Sequence, residues 1–206
     1  MNLHYLAATS ELRKVLHLIM HEEALQDFVL VGGTALALRF GHRQSDDLDL
    51  FCSSSFNTNA IETVLSSKFA ATRVYAENDT VRAFISGIKV DLLSHPYPLL
   101  GDMEVFESIR MASLKDLAAM KLNAISGRGM KKDFWDVAML CKIYSLQVMI
   151  GFFQQKYAQA DTWHLLRSLS YFEDADNDPT PIRALDETTW QEVKTTIQRE
   201  INKLIR

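Results

Sequence analysis

The sequence predicts an α+β protein in which a small mixed sheet flanked by helices is followed by an all-helical C-terminal region. Short apolar, partly β-branched runs separated by glycine turns precede residue 105, helical periodicity surrounds them, and the pattern from Ser113 onward is almost entirely helical. We therefore divide the chain into residues 1–105, the mixed region with its N-terminal helix, and residues 106–206, the helical region. The helical region is expected to pack on the mixed region and to complete the functional site.

The composition is that of a folded chain with one full core or two small ones. Its 206 residues are 48% apolar and 23% charged, with a net charge of -4, and a chain of this length buries roughly 70% of its unfolded surface. The negative charge provides no overall field for nucleic acid or anionic lipid, so any polyanion must bind a local patch. Two cysteines exclude a disulfide scaffold. We find no signal peptide and no apolar stretch of membrane-spanning length, so we expect a cytoplasmic protein without membrane contact.

The N-terminal half predicts alternating helices and strands. Apolar residues recur at intervals of three and four between Ser10 and Leu25, which indicates an amphipathic helix. The run from Phe28 to Val31 ends at Gly32-Gly33, and the composition of residues 34–40 is helical, which together indicate a strand, a glycine turn and a short helix. Further predicted elements are strands at 48–51 and 88–93, a helix at 59–69, and a hairpin in which 82–86 pairs with the second strand across Gly87.

The C-terminal half predicts helices interrupted at residues 127–129 and 173–181. Ser113 and Asp116 have the spacing of a capping box at the start of the first of these helices. The last helix has the clearest pattern, because one apolar stripe runs along its length. The stripe consists of Trp190, Val193, Ile197, Ile201 and Leu204.

Two aspartates separated by one residue are the first candidate site residues. In a strand through Asp47-Leu48-Asp49-Leu50-Phe51, Asp47 and Asp49 project from one face while the leucines project from the other. Like charges this close repel each other, so the arrangement favours a positive group between them, and a hard divalent cation with oxygen ligands fits. A solvent-facing end of a strand is the alternative interpretation.

A third carboxylate, Asp91, lies in the second predicted strand. Apolar residues alternate along 88–93 and leave Asp91 on the opposite face. If the two strands are neighbours, Asp47, Asp49 and Asp91 converge and hold one or two magnesium ions, the arrangement that phosphoryl and nucleotidyl transfer uses. Taken alone, Asp91 also fits an ordinary surface position.

The glycine turn before the short helix is a candidate phosphate site. Gly32 and Gly33 permit close approach of the backbone, the helix N-terminus offers free N–H groups, and Thr34 adds a hydroxyl. A tight turn between a strand and a helix explains the same residues without a ligand. Arg43 adds positive charge just before the carboxylates, where it would steer a nucleotide.

Lys121 is the fourth candidate catalytic residue. Its spacing places it within the apolar stripe of its helix, so it needs an anionic partner, for which a phosphate or an active-site aspartate would serve. A lysine whose head group reaches solvent at the edge of the stripe is the alternative. Beyond it, Asp133 and Asp136 share a face of the following helix, and a solvated charged turn is the other interpretation of that segment.

Several linked stretches carry a resemblance to a known family. They are Gly32-Gly33-Thr34-Ala35-Leu36-Ala37-Leu38, Gly41-His42-Arg43-Gln44-Ser45-Asp46-Asp47-Leu48-Asp49, the helix 116–124, Arg128 and Lys132-Asp133-Phe134-Trp135-Asp136-Val137. Together they resemble the AbiEii/AbiGii toxin-like nucleotidyltransferases of the polymerase-β-like superfamily, and the third-strand aspartate of that superfamily corresponds to Asp91. The similarity spans about residues 28 to 190.

The resemblance implies transfer of a nucleoside monophosphate from a nucleoside triphosphate to a hydroxyl acceptor, with Mg²⁺ or Mn²⁺ as cofactor. It implies that Asp47, Asp49 and Asp91 bind the metal and that these three residues and Lys121 act in catalysis. The predicted nucleotide-binding residues are Gly32, Gly33, Thr34, Arg43, Ser45, Lys121, Asp133 and Asp136.

The resemblance also implies partners. A toxin of this kind would modify RNA such as tRNA and would be opposed by a cognate antitoxin protein. Nucleotidylation of a small molecule is an alternative function, and a non-catalytic module that binds a nucleotide or a partner is another.

Overall fold

The computed structural model describes residues 2–204, which form two compact units. The first unit runs to Tyr97 and includes Asp102–Ala112, and the second comprises Pro98–Gly101 and the chain from Ser113 onward. The predicted division after residue 105 therefore differs from the observed one. The reason is that two short strands after Gly101 add to the sheet of the first unit.

The first unit is a mixed sheet with helices, as predicted for the α+β class. Its elements are α1 (Ser10–His21), β1 (Val29–Val31), α2 (Gly32–Phe40), β2 (Asp47–Cys52), α3 (Thr58–Phe69), β3 (Thr72–Glu77), β4 (Thr80–Ile85), β5 (Ile88–Ser94), β6 (Glu104–Phe106) and β7 (Ile109–Met111). The seven described strands lie in the order β3-β4-β5-β2-β1-β7-β6. The pairs β2–β5 and β1–β7 are parallel and the other pairs are antiparallel.

Alternation along the central strands separates a core face from a more open face of the sheet. In β2, Leu48 and Leu50 are fully buried while Asp47 and Asp49 are partly exposed, which is the period of two expected for a half-buried strand. The helix α1 packs against β2, β5 and β7. We call the other side, which bears the aspartates, the carboxylate face.

A partly buried arginine connects the end of α1 to β1. The Arg110 guanidinium donates hydrogen bonds to the main-chain oxygens of Met20, Leu25 and Phe28 at 2.7, 3.0 and 3.0 Å. Met20 lies in the last turn of α1, where carbonyl groups lack partners within the helix, and Leu25 and Phe28 lie between α1 and β1. Arg110 therefore fixes the chain that leads into β1 and, through it, the start of α2.

The second unit is helical, as predicted. Its elements are α4 (Leu114–Gly127), α5 (Lys131–Leu140), α6 (Leu146–Lys156), α7 (Thr162–Ser170), α8 (Glu173–Asp176) and α9 (Trp190–Leu204). Ser113 caps α4 by accepting a hydrogen bond from the Asp116 N–H, as the capping-box spacing predicts. In the described part of the chain, no helix has both the length and the hydrophobicity that crossing a membrane requires.

A buried ion pair organises the start of the second unit. Lys156 Nζ lies 2.7 Å from Asp116 Oδ1, and both side chains are about 1% exposed. The same ammonium group donates to the main-chain oxygen of Pro98, and the Leu100 N–H donates to the Asp116 carboxylate. The pair thus fixes the segment Pro98–Gly101 against α4 and α6.

We expect Lys156→Met to lower the free energy of unfolding by about 3–5 kcal/mol, because it leaves the Asp116 carboxylate buried without its cation. Urea unfolding of the full chain measures this change. Lys142→Met is the matched control, since Lys142 is largely exposed and 3.9 Å from Asp186, and it should cost less than about 1 kcal/mol. Equal losses in the two variants would contradict the role assigned to Lys156.

Candidate functional site

The pairing of β2 with β5 brings two predicted site aspartates side by side. The strands are parallel neighbours, and the Cα atom of Asp49 is paired with that of Asp91. Paired residues on adjacent strands project to the same face of a sheet. The condition on which the sequence prediction depended, that these two strands are neighbours, is therefore met.

The glycine turn lies directly against this pair. Val31, the last residue of β1, is paired with Asp49, and α2 begins at the next residue, Gly32. Gly32 has φ +70°, and a Cβ atom placed there would be 2.6 Å from Oδ2 of Asp49. Only glycine leaves room for the carboxylate and adopts this backbone conformation without strain. The first N–H groups of α2 are thus beside a carboxylate of the site.

Thr34 and Ser45 connect α2 to the start of β2. The Thr34 hydroxyl lies 2.8 Å from the Ser45 hydroxyl and donates to the main-chain oxygen of Asp47, and the Ser45 hydroxyl is 3.4 Å from Oδ1 of Asp47. Both side chains are buried. These bonds hold Asp47 at the N-terminus of α2, while the predicted contacts of Thr34 and Ser45 with a nucleotide stay predictions.

Asp91 is held by basic side chains on its own face of the sheet. Its Oδ2 atom is 2.7 Å from Lys89 Nζ and 4.0 Å from Arg82 Nε, and Arg82 is its cross-strand partner on β4. Its Oδ1 atom is buried and accepts no hydrogen bond from the described residues. A buried carboxylate oxygen without a partner is costly, so this atom indicates a ligand.

The donor chemistry fits a hard divalent cation, but the predicted three-carboxylate cluster is not preformed. Asp47, Asp49 and Asp91 supply the oxygen ligands that Mg²⁺ prefers. Among residues 2–204, however, no three side chains of histidine, cysteine, aspartate or glutamate are arranged as a metal site. The physical reason at Asp91 is its ion pair with Lys89, and cation binding stays a prediction.

The predicted basic residue Arg43 is 4% exposed, and its guanidinium donates to the main-chain oxygen of Gln44 at 2.9 Å. Arg39, at the end of α2, is also buried and bonds to the Ala112 oxygen and to Glu104. These guanidinium groups therefore stabilise the loop and the helix end around them. The predicted contact of Arg43 with a nucleotide stays a prediction.

In the second unit, Lys121 has the anionic partners that its inward position requires. Its ammonium group is 3.0 Å from Asp133 Oδ1 and 2.7 Å from Asp136 Oδ2, and both carboxylates are fully buried. Arg128 adds a second cation on Asp133, at 2.9 Å. The predicted aspartates therefore contact the predicted lysine. Contacts of Lys121, Asp133 and Asp136 with a nucleotide stay predictions.

The electrostatics of this cluster stabilise charged Asp133. Burial by itself raises the pKa of the Asp133 carboxyl, but the charge of Lys121 and the hydrogen bonds from Arg128 outweigh burial and hold the pKa below its ordinary value. The carboxylate is therefore ionised at neutral pH and bound to two cations.

Comparison with known proteins identifies the family. Residues 14–203 match the family model AbiEii, described as nucleotidyl transferase AbiEii toxin of a type IV toxin–antitoxin system. The chain belongs to the AbiEii nucleotidyltransferase toxin family. An uncharacterized protein of Aquifex aeolicus (strain VF5) is 33% identical over 201 residues, covering 95% of this chain and 96% of that protein. The recognition made from the linked motifs is therefore confirmed.

Solved structures share the fold of this AbiEii family member. A putative nucleotidyltransferase from H. pylori is 19% identical with a TM-score of 0.56, and the match covers 94% of each chain. The nucleotidyltransferase toxin MenT4 from Mycobacterium tuberculosis is 13% identical with a TM-score of 0.52, covering 86% of this chain and 75% of MenT4. At these identities the likeness shows a shared nucleotidyltransferase fold.

The structure adds Lys89 and Arg82 to the surroundings of the carboxylates. Neither was among the predicted site residues. Lys89 alternates with Asp91 along β5, and the predicted hairpin across Gly87 places Arg82 opposite Asp91. The sequence could therefore have indicated both residues. The alternation of β5 places Lys89 on the face of Asp91, and the register of the hairpin places Arg82 on that face as well.

We expect Gly32→Ala to reduce nucleotidyl transfer strongly, because the new Cβ atom would displace the Asp49 carboxylate. Gly87→Ala is a matched control, since Gly87 also has positive φ but a Cβ atom there meets nothing within 4 Å. Both variants should lose roughly 1–3 kcal/mol of stability from backbone strain. Transfer of a labelled nucleotide measures activity and urea unfolding measures stability, so the two assays separate a local effect from general destabilisation. Equal activity in the two variants would contradict the contact between position 32 and Asp49.

We expect Asp133→Asn to lower the free energy of unfolding at pH 7 by on the order of 3 kcal/mol, because Lys121 and Arg128 lose a buried partner. A depressed native pKa stabilises the protein above the unfolded value of about 4 and ceases to do so as the pH falls through the native value. The difference from wild type should therefore narrow as the pH falls below about 4 and through the lower native pKa of Asp133. Urea unfolding measures it, with exposed Asp174→Asn as control, and a gap independent of pH would refute the ion cluster.

Proposed function

We propose that this protein transfers a nucleoside monophosphate from a nucleoside triphosphate to a hydroxyl group of RNA, with tRNA as a candidate acceptor. The observation that carries the proposal is the placement of Asp49 beside Asp91 and against Gly32, at the N-terminus of α2. Membership of a nucleotidyltransferase toxin family supports the reaction class. The toxin family also leads us to expect a cognate antitoxin.

The three aspartates would hold the divalent cation. Asp47, Asp49 and Asp91 lie on one face of two paired strands, and the buried Oδ1 atom of Asp91 has no other partner among the described residues. When bound, Mg²⁺ or Mn²⁺ neutralises phosphate charge and polarises the phosphorus that is attacked. The Lys89 ammonium must move away from Asp91 Oδ2 for that oxygen to become a ligand.

The start of α2 would bind the outer phosphates. Its first N–H groups have no partner within the helix and carry the positive end of the helix dipole, which favours anions. Gly32 and Gly33 have no side chains to block the approach of a phosphate. The buried hydroxyl of Thr34 contributes indirectly, because it holds Asp47 beside this turn.

Asp91 would receive the proton of the acceptor hydroxyl. The acceptor oxygen then forms its bond to the α-phosphorus while the bond from that phosphorus to the β-phosphate oxygen breaks, and pyrophosphate leaves. The proton passes from Asp91 to solvent. We assign Lys121 the neutralisation of phosphate charge, as the family resemblance implies, although its ammonium already contacts two carboxylates.

We expect Asp49→Asn to reduce transfer by on the order of 10² or more, since one positioned charge at a reacting phosphate has an effect of this size. Incubating the protein with each labelled triphosphate and total RNA measures transfer. Asp102→Asn removes an exposed carboxylate outside the site and should retain activity. Wild-type labelling by Asp49→Asn would refute the assignment, and label in a small molecule instead of RNA would refute the acceptor.

A further inference from the structure

A patch of basic and aromatic side chains extends from Asp91 across the β3–β4 hairpin. It lies on the carboxylate face and consists of Arg73, Tyr75, Arg82, Phe84 and Lys89, which we call the hairpin surface. Register places Tyr75 opposite Arg82, and Arg82 opposite Asp91. The side chains of Arg82 and Lys89 are 56% and 46% exposed, and Tyr75 is 46% exposed.

An irregularity in β3 turns a further arginine toward this surface. The register of β3 against β4 shifts between Thr72 and Tyr75, and Arg73, within the shift, has φ +52°. Its guanidinium carbon lies 5.5 Å from the centre of the Phe84 ring. A bulge redirects side chains at the edge of a sheet, and here it adds a cation and covers an aromatic ring on the face that bears the aspartates.

We propose that the hairpin surface binds the single-stranded end of the RNA acceptor. This inference rests on the proposed function and names the surface that delivers the hydroxyl group to Asp91. Tyr75 offers an exposed ring, and Arg73 lies over the neighbouring Phe84 ring. An exposed ring beside arginine and lysine is the combination that binds single-stranded nucleic acid, since a base stacks on the ring and phosphates pair with the cations. An acidic peptide would use the cations but would have no need of the rings.

The dimensions fit a short length of RNA. Neighbouring strands are about 4.8 Å apart, so β3 lies about 14 Å from β2 across three strand spacings. Stacked nucleotides rise about 3.4 Å each, so roughly four of them cover this distance. The cations Arg73, Arg82 and Lys89 provide local attraction for phosphates, although the same face bears Asp91 and Glu77. The chain as a whole has a net charge of -4 and offers no general attraction for RNA.

Fluorescence anisotropy with a labelled single-stranded RNA of about eight nucleotides tests the proposal. Binding is measured without triphosphate on the full chain. Tyr75→Ala should weaken binding roughly five- to a hundredfold, the effect of one lost stacking contact, and Tyr75→Phe should restore it because the ring is retained. Arg73→Gln should weaken binding and reduce the slope of log K against log salt by about 0.7, as one lost phosphate contact requires.

Lys14→Gln is the matched control, because it removes an exposed cation from α1 and should change neither the affinity nor the slope. Unchanged RNA affinity in both hairpin variants would overturn the proposal, as would an equal loss in Lys14→Gln. Tyr75 and Arg73 are exposed, so thermal unfolding should confirm that the variants fold normally.

The outcome also separates this inference from the proposed reaction. Loss of RNA affinity in the hairpin variants, with no label transferred to any acceptor by wild type, would support the surface and refute the reaction. Equal labelling of RNA by wild type and by both variants would support the reaction and overturn the surface.

Discussion

The close pairing of two carboxylates on adjacent strands is the constraint on which the site of the first unit depends. Asp49 and Asp91 are paired across parallel β2 and β5, and like charges directly opposite each other destabilise a sheet. The neighbouring cations offset this cost at Asp91, where Lys89 lies 2.7 Å away. Glycine at position 32 leaves space beside Asp49 instead of covering it. The repulsion between Asp49 and Asp91 is one that a bound cation would reduce further.

The parts of the fold that the sequence predicts are those with local signals. The helix α1, the β4–β5 hairpin and the cap of α4 follow from periodicity, a glycine turn and a capping residue. Strand β3 was not predicted because its bulge interrupts alternation. Strands β6 and β7 were not predicted because each has three residues and, unlike β1, neither is a continuous apolar run. The extension of the first unit to Ala112 depends on the pairing of β7 with β1, which no local pattern shows.

The sequence predicts which residues form the candidate site but not which of them contact one another. The alternation of Asp47 and Asp49, and that of Asp91, fixes the face on which each lies, whereas the pairing of β2 with β5 joins segments about 40 residues apart and is set by the whole sheet. Thr34 and Ser45 illustrate the limit. They lie in stretches that resemble the family, but only the structure shows that their hydroxyls bond to each other and to Asp47.

The two clusters of acidic residues differ in how their charge is balanced. In the second unit, Asp133 and Asp136 are fully buried against Lys121, so removing any one group leaves the others without compensation. On the carboxylate face, the cations Lys89 and Arg82 are about half exposed. A ligand of Asp91 therefore competes with exposed cations, whereas a phosphate that binds Lys121 has to share the ammonium group with two buried carboxylates.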